Sequence, residues 1–137
     1  MILAPVHSRL LWRTSWCSLV SGLCGLAFGH VWLAGGALAV FLTSVNYWRA
    51  PDRGWRFWVD VGAVQLALVA HVWMALRAPL VWGLLYGVLT GVGLLCFFAG
   101  VRAHQRGHER ESVLWHAGLH VAANLGNLAL YWGLIVA

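Results

Sequence analysis

Residues 115–127 have the sequence WHAGLHVAANLGN, an apolar stretch that nevertheless carries two histidines and two asparagines. At about 100° per residue of a helix, the later three polar residues lie about 40°, 80° and 20° around the axis from His116. They are His120, Asn124 and Asn127. All four therefore share one narrow face. Hydrocarbon cannot satisfy their hydrogen bonds, so we expect other helices to supply partners for this face.

The composition is that of a membrane protein. Of the 137 residues, 61% are hydrophobic and only 9% are charged, and the mean hydropathy of +0.76 excludes an ordinary soluble domain. All nine basic residues are arginines, which lie in short groups between apolar segments. Bilayer topology explains this pattern better than nucleic acid does, so we expect the lipid bilayer, and no nucleic acid, as partner.

Apolar segments between charged loops predict an all-α bundle of transmembrane helices, in one domain over residues 1–137. The first apolar run, from Leu11 to Trp48, is too long for one crossing of about 20 residues, and a break at Gly29 and His30 divides it. The five predicted spans are residues 11–29, 31–48, 57–76, 80–101 and 113–136. The first two are short, which favours a thin membrane such as the endoplasmic reticulum.

The arginines test this division. With five spans, one side of the membrane carries every arginine except Arg77. That side holds Arg9, Arg13, Arg49, Arg53, Arg56, Arg102, Arg106 and Arg110. The positive-inside rule then places the N-terminus in the cytosol and the C-terminus on the opposite side. A four-span arrangement would set the first arginine pair opposite the next group, so the charges reject it. We expect the N-terminal segment to be retained as a span, although it resembles a secretory signal.

Four groups with hydrolytic or metal-binding potential fall at similar depth, in the inner half of the bilayer. Ser44 lies just before the end of span two, and Asp60 lies about one turn into span three. His116 and His120 lie about one and two turns into span five. A carboxylate inside a span is costly unless it is paired or bound to a metal. Asp60 therefore either pairs with Arg56 at the interface or faces the two histidines.

The other polar residues leave alternatives open. The histidine pair, at four-residue spacing, either ligates one metal ion or forms interhelical hydrogen bonds, with Asn124 and Asn127 extending the same polar face. Asn46, near the inner end of span two, is a further supporting polar group. His30 and His71 lie towards the outer side, too far away to join the inner cluster. A haem held between helices would need these two histidines to face each other at one depth.

The order Ser44, Asp60 and then His116-x-x-x-His120 in the last span resembles a superfamily of membrane hydrolases. It is the CREST-like superfamily of alkaline ceramidases and adiponectin- or progestin-type receptors. In that family a serine, and a histidine four residues later, end the second span; an aspartate follows in the third, and an HxxxH pair lies in the last. This chain has Trp48 in the place of the first histidine, and five predicted spans against the usual seven.

The resemblance implies a zinc site that hydrolyses an amide. His116 and His120 would be zinc ligands, Asp60 would orient the attacking water, and Ser44 would be an oxyanion or supporting donor. Because a tryptophan stands in the third ligand position, either His108 or Asp60 substitutes for the missing histidine, or the scaffold persists without its metal.

Two functions from different classes follow. The first is a zinc-dependent hydrolase acting on a lipid amide or ester that enters from the bilayer; a third ligand beside the histidine pair would favour it. The second is a non-enzymatic scaffold or assembly subunit, in a homo- or hetero-oligomer, whose polar face packs helices. Gly83, Gly87 and Gly91, at the four-residue spacing of closely packed helices, favour this second function. A proton or ion path would also use an intramembrane polar cluster.

Overall fold

The computed structural model describes residues 5–136, and this part of the chain consists of α-helices and short connections, without strands. The helices are α1 (Pro5–Thr14), α2 (Trp16–Ala27), α3 (Val31–Arg49), α4 (Trp55–Ala75), α5 (Leu80–Gln105) and α6 (Glu109–Ile135). The predicted all-α fold is confirmed. Three of these helices, α3, α4 and α5, are long and apolar enough to cross a membrane.

The predicted spans two, three and four coincide with α3, α4 and α5, except that α5 continues to Gln105. The predicted first span is instead divided into α1 and α2 at Ser15. The Ser15 hydroxyl and the Ser15 backbone N–H both donate to the Leu11 carbonyl, at 2.8 and 3.0 Å. The Ser18 N–H then bonds the Ser15 carbonyl, a three-residue step that tightens the chain. The last predicted span begins earlier than expected, at Glu109.

Two glycines make the sharp reversals. Gly29, after α2, has φ +82°, and Gly107, after α5, has φ +79°. Behind the first, the His30 N–H bonds the Gly25 carbonyl at 2.8 Å; behind the second, the His108 N–H bonds the Ala103 carbonyl at 2.9 Å. These six-residue bonds are Schellman motifs, in which a left-handed residue closes the helix. The predicted break at Gly29 is confirmed.

Helices α2 to α6 form a ring in which each helix packs against the next, and α2 closes the ring against α6. The α5–α6 pair has the most extensive contact. Helix α1 lies against α3 and α6 at one end of the ring. Helix α1 therefore packs beside the first half of α6, the helix that carries His116 and His120.

Clusters of buried side chains mark the two ends of the bundle. The first end contains Leu11, Tyr47, Trp48 and Val113, from α1, α3 and α6. The second contains Leu33, Tyr86, Leu130 and Tyr131, from α3, α5 and α6. The first end thus joins α1, the C-terminus of α3 and the N-terminus of α6, which are the segments next to the three arginine groups. The arginine groups therefore share one end of the bundle.

Close packing of α5 uses a different face from the one predicted. At Gly87 and Gly91 an added Cβ would meet nothing within 4 Å, so these glycines are not at a helix contact in the described chain. Of the predicted stripe, Gly83 alone packs closely, against the end of α4. At Gly93 and Gly100 an added Cβ would lie 3.3 and 3.1 Å from atoms of α6. The predicted stripe is therefore wrong at Gly87 and Gly91, and α6 approaches α5 along Gly93 and Gly100.

Candidate functional site

The polar face of α6 lies against α1 and α2. His120 Nδ1 is 3.0 Å from the Thr14 hydroxyl oxygen. Asn124 accepts the Ser21 hydroxyl at 2.7 Å and donates its amide N–H to the Ser18 hydroxyl at 3.2 Å. The Asn124 amide also donates to the carbonyl of His120, one turn earlier, at 2.7 Å. Partner helices for this face were predicted. They are α1 and α2, which contribute three hydroxyl groups.

These three hydroxyls were missed by the sequence analysis. Thr14, Ser18 and Ser21 follow one another at spacings of four and three residues, so they share one side of the α1–α2 segment. Small hydroxyl residues at helical spacing in an apolar segment are a recognised means of bonding neighbouring helices. That spacing is the signal that could have identified them. We call these three residues, together with His120 and Asn124, the polar seam.

His116 lies among aromatic rings at the first end of the bundle. Its ring centroid is 5.3 Å from that of Trp48, 5.2 Å from that of His120 and 6.2 Å from that of Phe97, all in edge-on arrangements. Trp48 is itself buried, at 4% exposure. Trp48 thus occupies the position where the resemblance requires a third histidine, and it is in ring contact with the first histidine of the pair. The three positions converge, but one of them provides no ligand atom.

Asp60 is buried and bonded to α3. Its Oδ1 accepts the Ser44 hydroxyl at 2.6 Å and the Thr43 hydroxyl at 2.9 Å. Within residues 5–136, no ion pair joins Asp60 to Arg56, whose guanidinium lies 5.8 Å from the ring centroid of Trp55. No hydrogen bond joins Asp60 to the histidine pair in the same part of the chain. Ser44 and Asp60 are therefore brought together. The two partners predicted for Asp60, which were Arg56 and the histidine pair, are not the ones observed.

A zinc ion of the family's type needs three protein ligands. No three His, Cys, Asp or Glu side chains in the described chain are grouped so that they could hold a metal ion. His116 and His120 offer two ligands, and the indole of Trp48 is a donor only. His108, the proposed substitute, has its Nδ1 3.3 Å from a carboxylate oxygen of Glu111. The residues at this site do not fit the zinc centre that the resemblance implies.

The two remaining predicted polar residues stand apart from these contacts. Asn46 and Asn127 are both half-buried. Over the described range, neither side chain forms a hydrogen bond with another helix. Of the four polar residues on the face of α6, His116 meets aromatic rings, while His120 and Asn124 bond to α1 and α2.

A second polar group, at the other end of the bundle, centres on Tyr131. His71 Nδ1–H donates to the Ala67 carbonyl at 2.7 Å, so its Nε2 is the acceptor for the Tyr131 hydroxyl, at 2.9 Å. His30 Nε2–H donates to the backbone carbonyl of Tyr131 at 3.1 Å. The ring of His71 stacks on Tyr86 at a centroid distance of 6.4 Å. The two histidines considered for haem are therefore joined through a tyrosine, a partner that the sequence analysis missed.

No protein-family model, curated protein or solved structure matches this chain. The resemblance to the membrane hydrolases therefore rests on the signature positions alone. Among these positions, the serine lies against the aspartate, and the tryptophan lies against His116, the first histidine of the pair.

Proposed function

We propose that this chain is a non-enzymatic component of a membrane, a scaffold or assembly subunit whose intramembrane polar residues bond its helices to one another. The contact between Trp48 and His116 carries this proposal. A ring without ligand atoms fills the third ligand position and packs against the first histidine. This contact supports a bundle that has the order of signature residues found in the hydrolases but binds no metal.

The hydrogen bonds of the signature residues support the same function. Asp60 receives two hydroxyl hydrogens from α3, and His120 is within hydrogen-bonding distance of Thr14 on α1. Hydrocarbon offers these groups no alternative partner, so each bond between helices favours one rotation of a helix against its neighbour. Such bonds contribute on average about 0.6 kcal/mol each in a bilayer. A set of them fixes the arrangement of a small bundle without any chemistry.

The same proposal includes five spans, with the N-terminus in the cytosol and the C-terminus outside. Helices α1 and α2 together cover residues 5–27, about 34 Å of helix, which is enough for one crossing of a hydrocarbon core of about 30 Å. Helix α6, at 27 residues, is long enough for another. The common end of the arginine groups supports placing that end in the cytosol.

A metal-dependent lipid hydrolase is the second candidate, and two contacts favour it. His116 and His120 lie side by side, with ring centroids 5.2 Å apart, and Ser44 bonds Asp60 at 2.6 Å. Both pairs are those that the resemblance requires. This candidate needs a third ligand to reach the histidines, in the space that Trp48 fills.

The two candidates are separated by the metal content and the stability of the purified full-length protein and of two variants, His116→Ala and His120→Ala. The scaffold proposal predicts far less than one zinc ion per chain in all three. It also predicts a lower unfolding midpoint for His120→Ala, because the hydrogen bond with Thr14 is lost. About one zinc ion per chain in the wild type, absent from both variants, would overturn the scaffold proposal in favour of the hydrolase.

A further inference from the structure

A groove runs along α5 and the beginning of α6, at the arginine-bearing end of the bundle. Its volume of about 920 Å³ is within the range of small-molecule binding sites. Five of its lining residues on α5 repeat at three- or four-residue spacing, which is the spacing of one helix face. They are Val92, Leu95, Ala99, Arg102 and Arg106. One face of α5 thus changes from apolar to basic along its length.

Helix α5 is long and apolar enough to cross a membrane, and the change lies where a crossing that begins at Leu80 would end. Helix α5 has 26 residues and is therefore about 39 Å long. A hydrocarbon core of about 30 Å is spanned by about 20 residues, here residues 80–99. Leu95 and Phe98, which are 70% and 62% exposed, then lie in the hydrocarbon, and Arg102 and Arg106 lie at the level of the headgroups.

The two arginines have no acidic partner in the structure. Both are exposed, and in residues 5–136 neither forms a salt bridge. The groove contains one carboxylate, Glu111, which accepts the Trp115 indole N–H at 3.2 Å and lies 3.3 Å from His108 Nδ1. The basic end of the groove therefore presents two cations, Arg102 and Arg106, that the described part of the protein does not neutralise.

We propose that this groove binds an anionic phospholipid, with its phosphate at Arg102 and Arg106 and an acyl chain along Leu95 and Phe98. Guanidinium groups bind phosphate oxygens in bidentate geometry, and basic pockets beside membrane helices attract acidic headgroups. An apolar wall continuous with a pair of arginines matches the two parts of such a lipid. The site uses no residue of the polar seam or of the Ser44–Asp60 pair, so it is independent of the function proposed above.

The test is native mass spectrometry of the full-length protein in detergent, with phosphatidylglycerol and phosphatidylcholine of the same acyl chains added in turn. We expect tighter binding of phosphatidylglycerol by the wild type. In the double variant Arg102→Gln/Arg106→Gln this preference should fall about 30-fold, at about 1 kcal/mol for each arginine and 1.4 kcal/mol for each factor of ten. The control Arg49→Gln/Arg53→Gln removes the same charge at the same end of the bundle but outside the groove, and should keep the preference.

A second variant tests the apolar wall without changing any charge. Ala99→Trp places a large side chain in the middle of the groove, so it should weaken the binding of phosphatidylglycerol while the fold, measured by circular dichroism, is unchanged. If Arg102→Gln/Arg106→Gln and the control Arg49→Gln/Arg53→Gln lost the preference for phosphatidylglycerol equally, binding would follow overall charge. That result would overturn the site. No preference for phosphatidylglycerol in the wild type would overturn it as well.

Discussion

Replacement of Asn124 by alanine tests the polar seam at its centre. The side chain is 8% exposed and forms two bonds to another helix, accepting from Ser21 at 2.7 Å and donating to Ser18 at 3.2 Å. An average interhelical hydrogen bond contributes about 0.6 kcal/mol and the strongest about 1.7 kcal/mol. The loss of two such bonds should lower the free energy of unfolding by about 1–3 kcal/mol. The lower part of this range is favoured because the Ser21 hydroxyl already contacts the Ser18 carbonyl, at 3.3 Å, and can keep that bond.

The assay is reversible unfolding in mixed micelles, followed by circular dichroism, with Asn127→Ala as the matched control. Asn127 lies on the same helix and is half-buried, but in the described chain it forms no bond to a neighbouring helix, so its loss should cost less than about 0.5 kcal/mol. A double-mutant cycle of Asn124→Ala with Ser21→Ala should give a coupling of about 0.6 kcal/mol. Equal effects of the two asparagine variants, together with no coupling, would refute the seam.

Three further predictions concern the rest of the bundle. Gly107→Ala should lower the free energy of unfolding by about 1–2 kcal/mol, because Gly107 has φ +79°. The control Gly87→Ala, in an open helical position, should be neutral or stabilising, and thermal unfolding of both variants distinguishes these outcomes. Tyr131→Phe removes a buried hydroxyl donor and should cost about 1–2 kcal/mol in the same assay, and no loss would contradict the assigned bond. With the native cysteines replaced, Gln105→Cys should react with a membrane-impermeant maleimide from the cytosolic side and Ala78→Cys from the opposite side; labelling of both from one side would contradict the five-span topology.

Glycine and charged positions predicted several of the helix ends because their effects are local. A glycine such as Gly29 closes a helix when it adopts a left-handed conformation. Arginines mark the charged loops between apolar segments, and their positions can be read directly from the sequence. The break at Ser15 was not predicted, since a serine continues or bends a helix according to the hydroxyl bond that it makes. The helix ends and the turn at Gly29 were thus more accessible from sequence than the break at Ser15 within the predicted first span.

The partners at the candidate site were less predictable because they depend on how each helix is rotated. The polar face of α6 required hydrogen-bonding partners. The spacing of Ser18 and Ser21 on α2 marks them as candidates, but only the packing of the helices shows that they meet Asn124. For Asp60, the two partners considered were Arg56 and the histidines of α6, whereas the observed donors are two hydroxyls of α3. They belong to Thr43 and Ser44. Helical periodicity predicts which residues share a face, and packing decides which helix meets that face.

Our central proposal is that Trp48 occupies a ligand position and leaves the histidine pair without a metal. It is tested most directly by zinc binding, measured by equilibrium dialysis and elemental analysis, of the wild type beside Trp48→His. The ring contact between Trp48 and His116 predicts about one zinc ion per chain in Trp48→His, and far less in the wild type. Equal stoichiometric zinc in both proteins would contradict the account, because the wild type would then hold the metal without the third histidine.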